Sequence, residues 1–336
     1  MCQQRKNGPM IDLRTGIDRP PRREDMCNKI AACHVNAKMP TPLWDSFLSR
    51  VVPDSLTRAY LKRVSGYCLT GTTVEHVIFF LYGTGRNGKS VFLNTLRGIW
   101  KDHAITAPLG LLMESKQERH ETELAQVDGV RLVICQEIER NQRWAESRIK
   151  ALTGGDRIRA RYMRQDYFEF EPRFKLIIAG NHKPSLRGVD EAIKARIHLI
   201  PFTVTIPPAE RDKELQNKLH REWPGILAWA VEGCLEYQRF GLAPPQSVLD
   251  ATAEYLKDQD THGQWIDECC KFGSDEMLSK LYTNWKDWTA ANGLPTGSSK
   301  GLSQALTERG FNRQHTKKGV QINGLCLRLN SEEYEG

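Results

Sequence analysis

The apolar run "VIFFLY", Val77–Tyr82, stops at "GTGRNGKS" and resumes as "VFLNTLRGIW". No other feature constrains the fold as much. A short, uniformly apolar run bounded by glycine predicts a strand buried on both faces. The residues after it predict a helix that starts near Lys89 and ends before Lys101. Between the two, Gly83, Gly88, Lys89 and Ser90 satisfy GxxxxGK[ST] in full. The glycines of such a loop let backbone N–H groups turn inward around phosphates. The helix that follows presents its positive end to them. The lysine reaches the β- and γ-phosphates and the hydroxyl binds Mg²⁺. Gly83, Thr84, Gly85, Arg86, Asn87, Gly88, Lys89, Ser90 and Val91 are therefore the candidate ATP-binding residues, with Mg²⁺ as the accompanying metal.

Further apolar runs follow at Val130–Cys135, Phe174–Gly180 and Arg196–Phe202, with helical patterns at Gln117–Val127 and Trp144–Leu152. Alternating strands and helices predict an α/β fold with a parallel central sheet covered on both faces. Residues 1–42 read as an extended lead-in rich in Pro, Arg and Asp. Residues 43–75 carry helical spacing, broken by Pro53 and restarted by Asp54 as a cap. The core runs over 76–240 and a linker helix over 241–263. In 264–336, helical spacing at Leu278–Trp288 and Leu302–Arg309 is followed by two short strands, Phe311–Thr316 and Val320–Leu327. That order suggests a winged-helix-like domain.

Composition excludes some classes and selects none. The chain has 336 residues, 40% hydrophobic and 26% charged, enough to bury a core without staples. A formal charge of +7 leans toward a polyanionic partner. Nine cysteines, several inside apolar runs, fit a reducing, cytoplasmic setting. Cys27, Cys33 and His34 lie close together, but no further pair completes a zinc site. No apolar run approaches the roughly 20 residues of a membrane span, and the first residues lack an apolar signal core.

Hydrolysis needs acids at the end of a neighbouring strand. "RLVICQEIE" supplies Glu137 and Glu139, which share a face if the strand continues that far. Either can hold Mg²⁺ or polarise the attacking water; Glu137 is the first choice. Asn181 follows the strand Phe174–Gly180, where its amide could meet the γ-phosphate, although an Asn after Gly is also a common turn residue. Arg196 opens the last strand and reads either as a surface arginine or as a group that neutralises a neighbouring subunit's phosphate. "DRIRARYMRQDYFEFEP" predicts two strands around an Arg164-Gln165-Asp166 turn. Arg157, Arg159 and Arg161 would share one face, with Arg164 at the turn. Charge of this kind suits the backbone of single-stranded DNA. Tyr162 and Tyr167 either pack the hairpin or stack on a base, and packing is the expectation. Lys317 and Lys318 would sit at the tip of the C-terminal wing, placed for duplex or origin DNA.

The order GTGRNGKS, then VICQEIE, then "LTGGDRIRARYMRQDYFEFEPRFKLIIAGNHKPSLRGVDEAIKARIHLIPF" resembles superfamily 3 helicases of the AAA+ class. More closely, it is similar to the helicase half of phage and plasmid primase–helicases, a group related to the poxvirus replication NTPase. The resemblance implies an AAA+ P-loop NTPase whose Lys89 and Ser90 hold phosphate and Mg²⁺. It puts Glu137 at the Walker B position, Asn181 at the sensor position and Arg196 at the arginine-finger position. Here Ala195 separates Lys194 from Arg196, where the family often has two adjacent basic residues. The resemblance also implies a homo-hexamer translocating on single-stranded DNA through a hairpin in its channel. A priming domain normally precedes this region. Only about 40 residues do so here, so a helicase-only protein or a fragment is expected, with any primase separate or missing. The alternative is a nucleotide-dependent origin-binding or loading module without processive unwinding. A small-molecule kinase would leave the hairpin and the C-terminal residues without a role.

Overall fold

The computed structural model describes residues 3–4, 8–114, 122–136, 142–186 and 189–328. The chain separates into two compact units, one of residues 1–187 and 191–255, the other of 188–190 and 256–336.

The first unit is built on a five-stranded, all-parallel sheet. Its strands are β1 (Ile78–Tyr82), β2 (Ala104–Thr106), β3 (Leu132–Gln136), β6 (Lys175–Gly180) and β7 (Ile197–Pro201). The β4–β5 pair forms a separate hairpin, Ile158–Arg161 with Tyr167–Phe170. The order across the sheet is β7-β1-β6-β3-β2. Each of the four apolar runs becomes a strand within two residues of its expected ends. β2 was not foreseen: "AIT" is too short to carry a period, and pairing with β3 makes it a strand. The order also separates β1 from β3, because β6 lies between them. β3, which ends at Gln136 just before the candidate acids in sequence, is thus one strand removed from the glycine loop.

Helix α1 (Pro42–Val51) starts on a proline and is capped from far along the chain. The Glu222 carboxylate accepts from Leu43 N at 3.0 Å and Trp44 N at 2.9 Å. Helix α2 (Ser55–Tyr67) is capped by Asp54, which accepts from Leu56 N and Thr57 N. Helix α3 (Lys89–Trp100) follows the glycine loop and α4 (Glu146–Gly154) precedes the hairpin. Helix α5 (Trp223–Phe240) crosses α2 with the backbones touching: a Cβ on Gly66 would lie 2.0 Å from Cys234 N, and one on Gly233 2.1 Å from Lys62 O. Trp44, Tyr60 and Val64 share one core with Phe79 and Leu81 of the sheet. The helices of 43–75 therefore pack directly on the sheet. The lead-in packs there too. Met10 and Ile11 are buried, and Leu13 O accepts from Gln238 Nε2 of α5 at 2.6 Å. Helix α6 (Gln246–Gln259) brings Tyr255 beneath Trp144, whose Nε1 donates to the Tyr255 hydroxyl at 2.8 Å.

The second unit contains α7 (Thr261–Cys269), β8 (Cys270–Phe272), α8 (Leu278–Ala291), α9 (Ser299–Glu308), β9 (Asn312–Thr316), β10 (Gly319–Asn323) and β11 (Leu325–Leu327). β9 and β10 form a hairpin, but the expected strand Val320–Leu327 breaks at Gly324, φ 81°, and its second part, β11, returns to pair with β8. Trp265, Leu281, Trp285, Leu306 and Ile322 fill the core. Helices followed by a β-ribbon give the winged-helix-like arrangement. Among the described residues, no helix is long and apolar enough to cross a membrane.

Candidate functional site

The glycine loop leaves the C-terminal end of β1 and is held tightly. A Cβ on Gly83 would lie 2.1 Å from both Asn87 Nδ2 and Phe202 O, so only glycine fits. Asn87 is buried and donates from Nδ2 to Phe202 O at 2.8 Å, clipping the loop to the end of β7. Gly85 and Gly88 have φ of 100° and 84°, which glycine adopts without strain. Arg86 has φ 55°, a conformation costing a non-glycine residue roughly 1–3 kcal/mol. Its carbonyl is engaged by Ile206 N at 2.8 Å. Helix α1 lies against the loop, since a Cβ on Gly88 would meet Val51 at 2.6 Å and Phe47 at 2.9 Å. Thr84, Arg86 and Ser90 face solvent, and Val91 packs against the core.

Lys89 is the centre of this arrangement. It is 5% exposed. Its Nζ donates to Gly83 O at 2.8 Å, Asn87 Oδ1 at 2.9 Å and Asn181 Oδ1 at 3.1 Å. Asn181 stands just past β6, whose pairing with β1 runs from Leu176↔Ile78 to Gly180↔Tyr82. Sheet register therefore brings together two residues 92 positions apart. Burial lowers the Lys89 ammonium to about 8, because a low-dielectric setting disfavours the charged form. Such an ammonium would gain from an anion. The residues present suit a nucleotide phosphate: glycines at positive φ, a helix N-terminus and an ammonium with an exposed amide among its acceptors. Ser90, the second residue of α3, is exposed and carries a hydroxyl, which fits a Mg²⁺ ligand. Glu137 and Glu139 lie outside the described residues, which resume at 142. β3 is described as far as Gln136.

Arg196 lies at the other end of the sheet. Ile197 pairs with Ile78 and Pro201 with Tyr82, so Arg196 stands where β1 begins and the loop stands where β1 ends. The five residues of β1 span about 17 Å, more than an arginine side chain covers. Arg196 does not reach the loop of its own chain. It rests instead on α4, donating from Nε to Thr153 Oγ1 at 3.2 Å, and from Nη1 to Ala192 O at 2.7 Å.

The hairpin forms as the alternation predicts. Ile158 and Ala160 are buried while Arg157, Arg159 and Arg161 are exposed. Arg164 sits in the turn with φ 61° and is exposed. Tyr162 and Tyr167 serve the hairpin itself. Tyr162 stacks on Phe168 at 5.3 Å and donates to Ala125 O at 3.3 Å. The Arg159 and Arg161 guanidinium groups lie 3.9 and 5.0 Å from the Tyr167 ring centroid. Arg157 pairs with Glu171 at 3.7 Å. In the second unit Lys317 and Lys318 are exposed in the β9–β10 turn, whereas Arg309 pairs with Asp260.

Sequence reasoning missed three polar residues around this frame. Thr153 carries Arg196. His76 donates from Nδ1 to Thr153 O at 2.7 Å; a carbonyl only accepts, so Nδ1 bears the proton. Lys175 opens β6 fully buried, donating to the carbonyls of Thr70, Thr72 and Arg173. The lysine inside "FKLIIAG" was the one available signal, a charge opening an otherwise apolar strand.

Fold and loop together define an α/β protein of the P-loop type. The family described as "Family of unknown function (DUF5906)" matches residues 81–196, from β1 to Arg196. The chain is 28% identical over 272 residues to "Putative helicase 022R" of Frog virus 3 (isolate Goorha). It is 26% identical over 271 residues to "Putative helicase L207/L206" of Acanthamoeba polyphaga mimivirus. Each alignment covers 74% of this chain and 28% of the viral protein, so the chain spans little more than a quarter of these relatives. Among solved structures, the apo NrS-1 C-terminal region superposes with a TM-score of 0.53 over 78% of this chain and 60% of that one. At 11% identity the likeness is one of fold.

Proposed function

We propose that this chain is the motor of an ATP-dependent DNA helicase of the superfamily 3, AAA+ kind, acting as a ring on single-stranded DNA. The observation that carries the reading is the bond from Lys89 Nζ to Asn181 Oδ1. It joins a phosphate loop to a sensor position on the adjacent parallel strand. The relatives' names support it, as does an arginine-bearing hairpin that runs directly into that strand.

In this reading the loop's N–H groups and Lys89 hold the nucleotide's phosphates. Mg²⁺, held by Ser90 Oγ and a carboxylate from Glu137 or Glu139, supplies charge neutralisation at the phosphates. Glu137 takes the proton of the attacking water. Asn181 exchanges its bond to Lys89 for one to the γ-phosphate, so the end of β6 responds to nucleotide state. Arg196 cannot serve its own site and acts on that of the next subunit, which makes hydrolysis depend on assembly. β6 carries the response back to the hairpin, where Arg159, Arg161 and Arg164 hold backbone phosphates. Lys317 and Lys318 contact duplex DNA from the wing. A homo-hexamer is the assembly this scheme calls for.

The deciding experiment combines ATP turnover and strand separation on one preparation, using a forked duplex with and without single-stranded tails. Single-stranded DNA should stimulate turnover, and the fork should open only with hydrolysable ATP. Rings should be visible by electron microscopy with an ATP analogue and single-stranded DNA. Turnover indifferent to DNA, with an intact fork, would sink the proposal. Nucleotide-dependent DNA binding without strand separation would favour a loading module.

A further inference from the structure

Thr153 occupies a junction between parts of the molecule that the reading above treats separately. It is 5% exposed, at the C-terminal end of α4, and five residues later the chain enters the arginine strand β4. Its hydroxyl proton is committed to Ile149 O at 2.7 Å. The lone pairs of the same oxygen accept from Arg196 Nε at 3.2 Å. Its carbonyl accepts from His76 Nδ1 at 2.7 Å, which ties the end of α4 to the segment entering β1. Gly155, at φ 84°, ends the helix and turns the chain toward the hairpin. The guanidinium thus rests on the helix end from which the hairpin springs. Its second anchor, Ala192 O, belongs to its own turn.

From this we infer that Thr153 is a positioning residue that couples the DNA-gripping hairpin of one subunit to the nucleotide site served by the same subunit's Arg196. The inference rests on the reading of Arg196 as a group acting in trans and adds the route by which DNA reaches it. A load on the hairpin displaces the end of α4 and moves the hydroxyl that aims Nε. DNA bound by one subunit then sets the turnover of the neighbouring site. The hydroxyl touches neither nucleotide nor DNA.

The test is Thr153→Val, which keeps the shape and deletes the hydroxyl, compared with Thr153→Ser, which keeps the hydroxyl. The ratio of DNA-stimulated to basal ATP turnover should fall about tenfold in Thr153→Val, the scale of one hydrogen bond to a charged group. The fall should lie in kcat, with the KM for ATP and the affinity for single-stranded DNA unchanged, and Thr153→Ser should restore it. If Thr153→Val melts below the assay temperature, Thr153→Ala carries the same expectation. Wild-type stimulation in the hydroxyl-free variant would overturn the inference. So would a Thr153→Ser protein as impaired as Thr153→Val, because packing would then be the cause. Arg196→Ala in parallel separates the two layers. If it is defective while Thr153→Val is not, only the coupling falls. If Arg196→Ala turns over ATP at the wild-type rate, the trans reading falls and the coupling with it.

Discussion

Lys89 and Lys175 are both buried, at the carboxyl-end and amino-end edges of one parallel sheet, and no carboxylate among the described residues pairs with either. Burial lowers both ammonium groups, Lys89 to about 8 and Lys175 to about 7. Their acceptors set them apart. Lys175 is held mainly by the main-chain carbonyls of Thr70 and Thr72, which follow α2, and of Arg173, with the Tyr67 ring 5.0 Å away. Those groups cannot leave without unwinding the chain, so the lysine fastens β6 to the end of α2. Lys89 is held by one carbonyl and two side-chain amides, beside a loop whose Thr84, Arg86 and Ser90 face solvent. The exposed Asn181 amide can rotate away and an anion can take its place. A buried cation is a fastening where its partners are fixed and a binding site where they can be exchanged.

Substitution at the two edges should separate these roles. Lys89→Ala should abolish ATP turnover, because it removes the charge facing the phosphates. Glu137→Gln should retain nucleotide and stop hydrolysis. Steady-state turnover near wild type in either protein would erase the contrast at its binding edge.

Arg196→Ala, at the other edge, should bind ATP yet hydrolyse it about 10³-fold more slowly. Mixing it with Lys89→Ala should recover some turnover, since hybrid interfaces combine an intact loop with an intact arginine. If confirmed mixed assemblies stay inactive at every ratio, Arg196 has no role in trans.

Arg161→Ala combined with Arg164→Ala should weaken single-stranded DNA binding and eliminate unwinding. The slope of log affinity against log salt should flatten by up to about one unit per lost contact. A double variant that opens a fork at the wild-type rate would place the DNA path elsewhere.

The smaller effects concern pH. Phosphate favours the protonated form of Lys89, so nucleotide affinity should be flat below pH about 8 and fall above it, by up to about tenfold per unit. Calorimetry in buffers of different ionisation enthalpy should detect proton uptake on binding above that pH; its absence would mean that Lys89 stays charged in the free protein. Lys175 is lowered in the folded state from its ordinary 10.5. Between pH about 7 and about 10 the unfolded chain binds more protons than the folded one, so this group makes stability rise with pH there. Lys175→Met should remove that rise from urea-melt free energies. An unchanged pH slope would contradict the assignment.

Much of this was legible in the residues. The four apolar runs, the cap at Asp54, the hairpin alternation and the glycine loop between strand and helix are short-range patterns, and each forms where the residues place it. What escaped depends on contact. "AIT" is a strand only because β3 lies beside it. Met10 and Ile11, within a polar lead-in, are buried residues of the first unit. Thr153, an ordinary residue in a helix, carries Arg196 only because β7 begins beside the end of α4.

The sequence by itself determined the local chemistry: a glycine pattern, a lysine, a serine, and arginines on one face of a strand. Only the tertiary structure decided which of these groups meet. Periodicity is carried by neighbours a few residues apart, whereas strand order is settled by pairing between residues far apart in the chain. That order put β6 between β1 and β3, so Asn181, not the end of β3, became the immediate neighbour of Lys89. The same parallel register sent Arg196 to the far edge, onto Thr153, because a strand that begins beside the start of β1 cannot also begin beside its end.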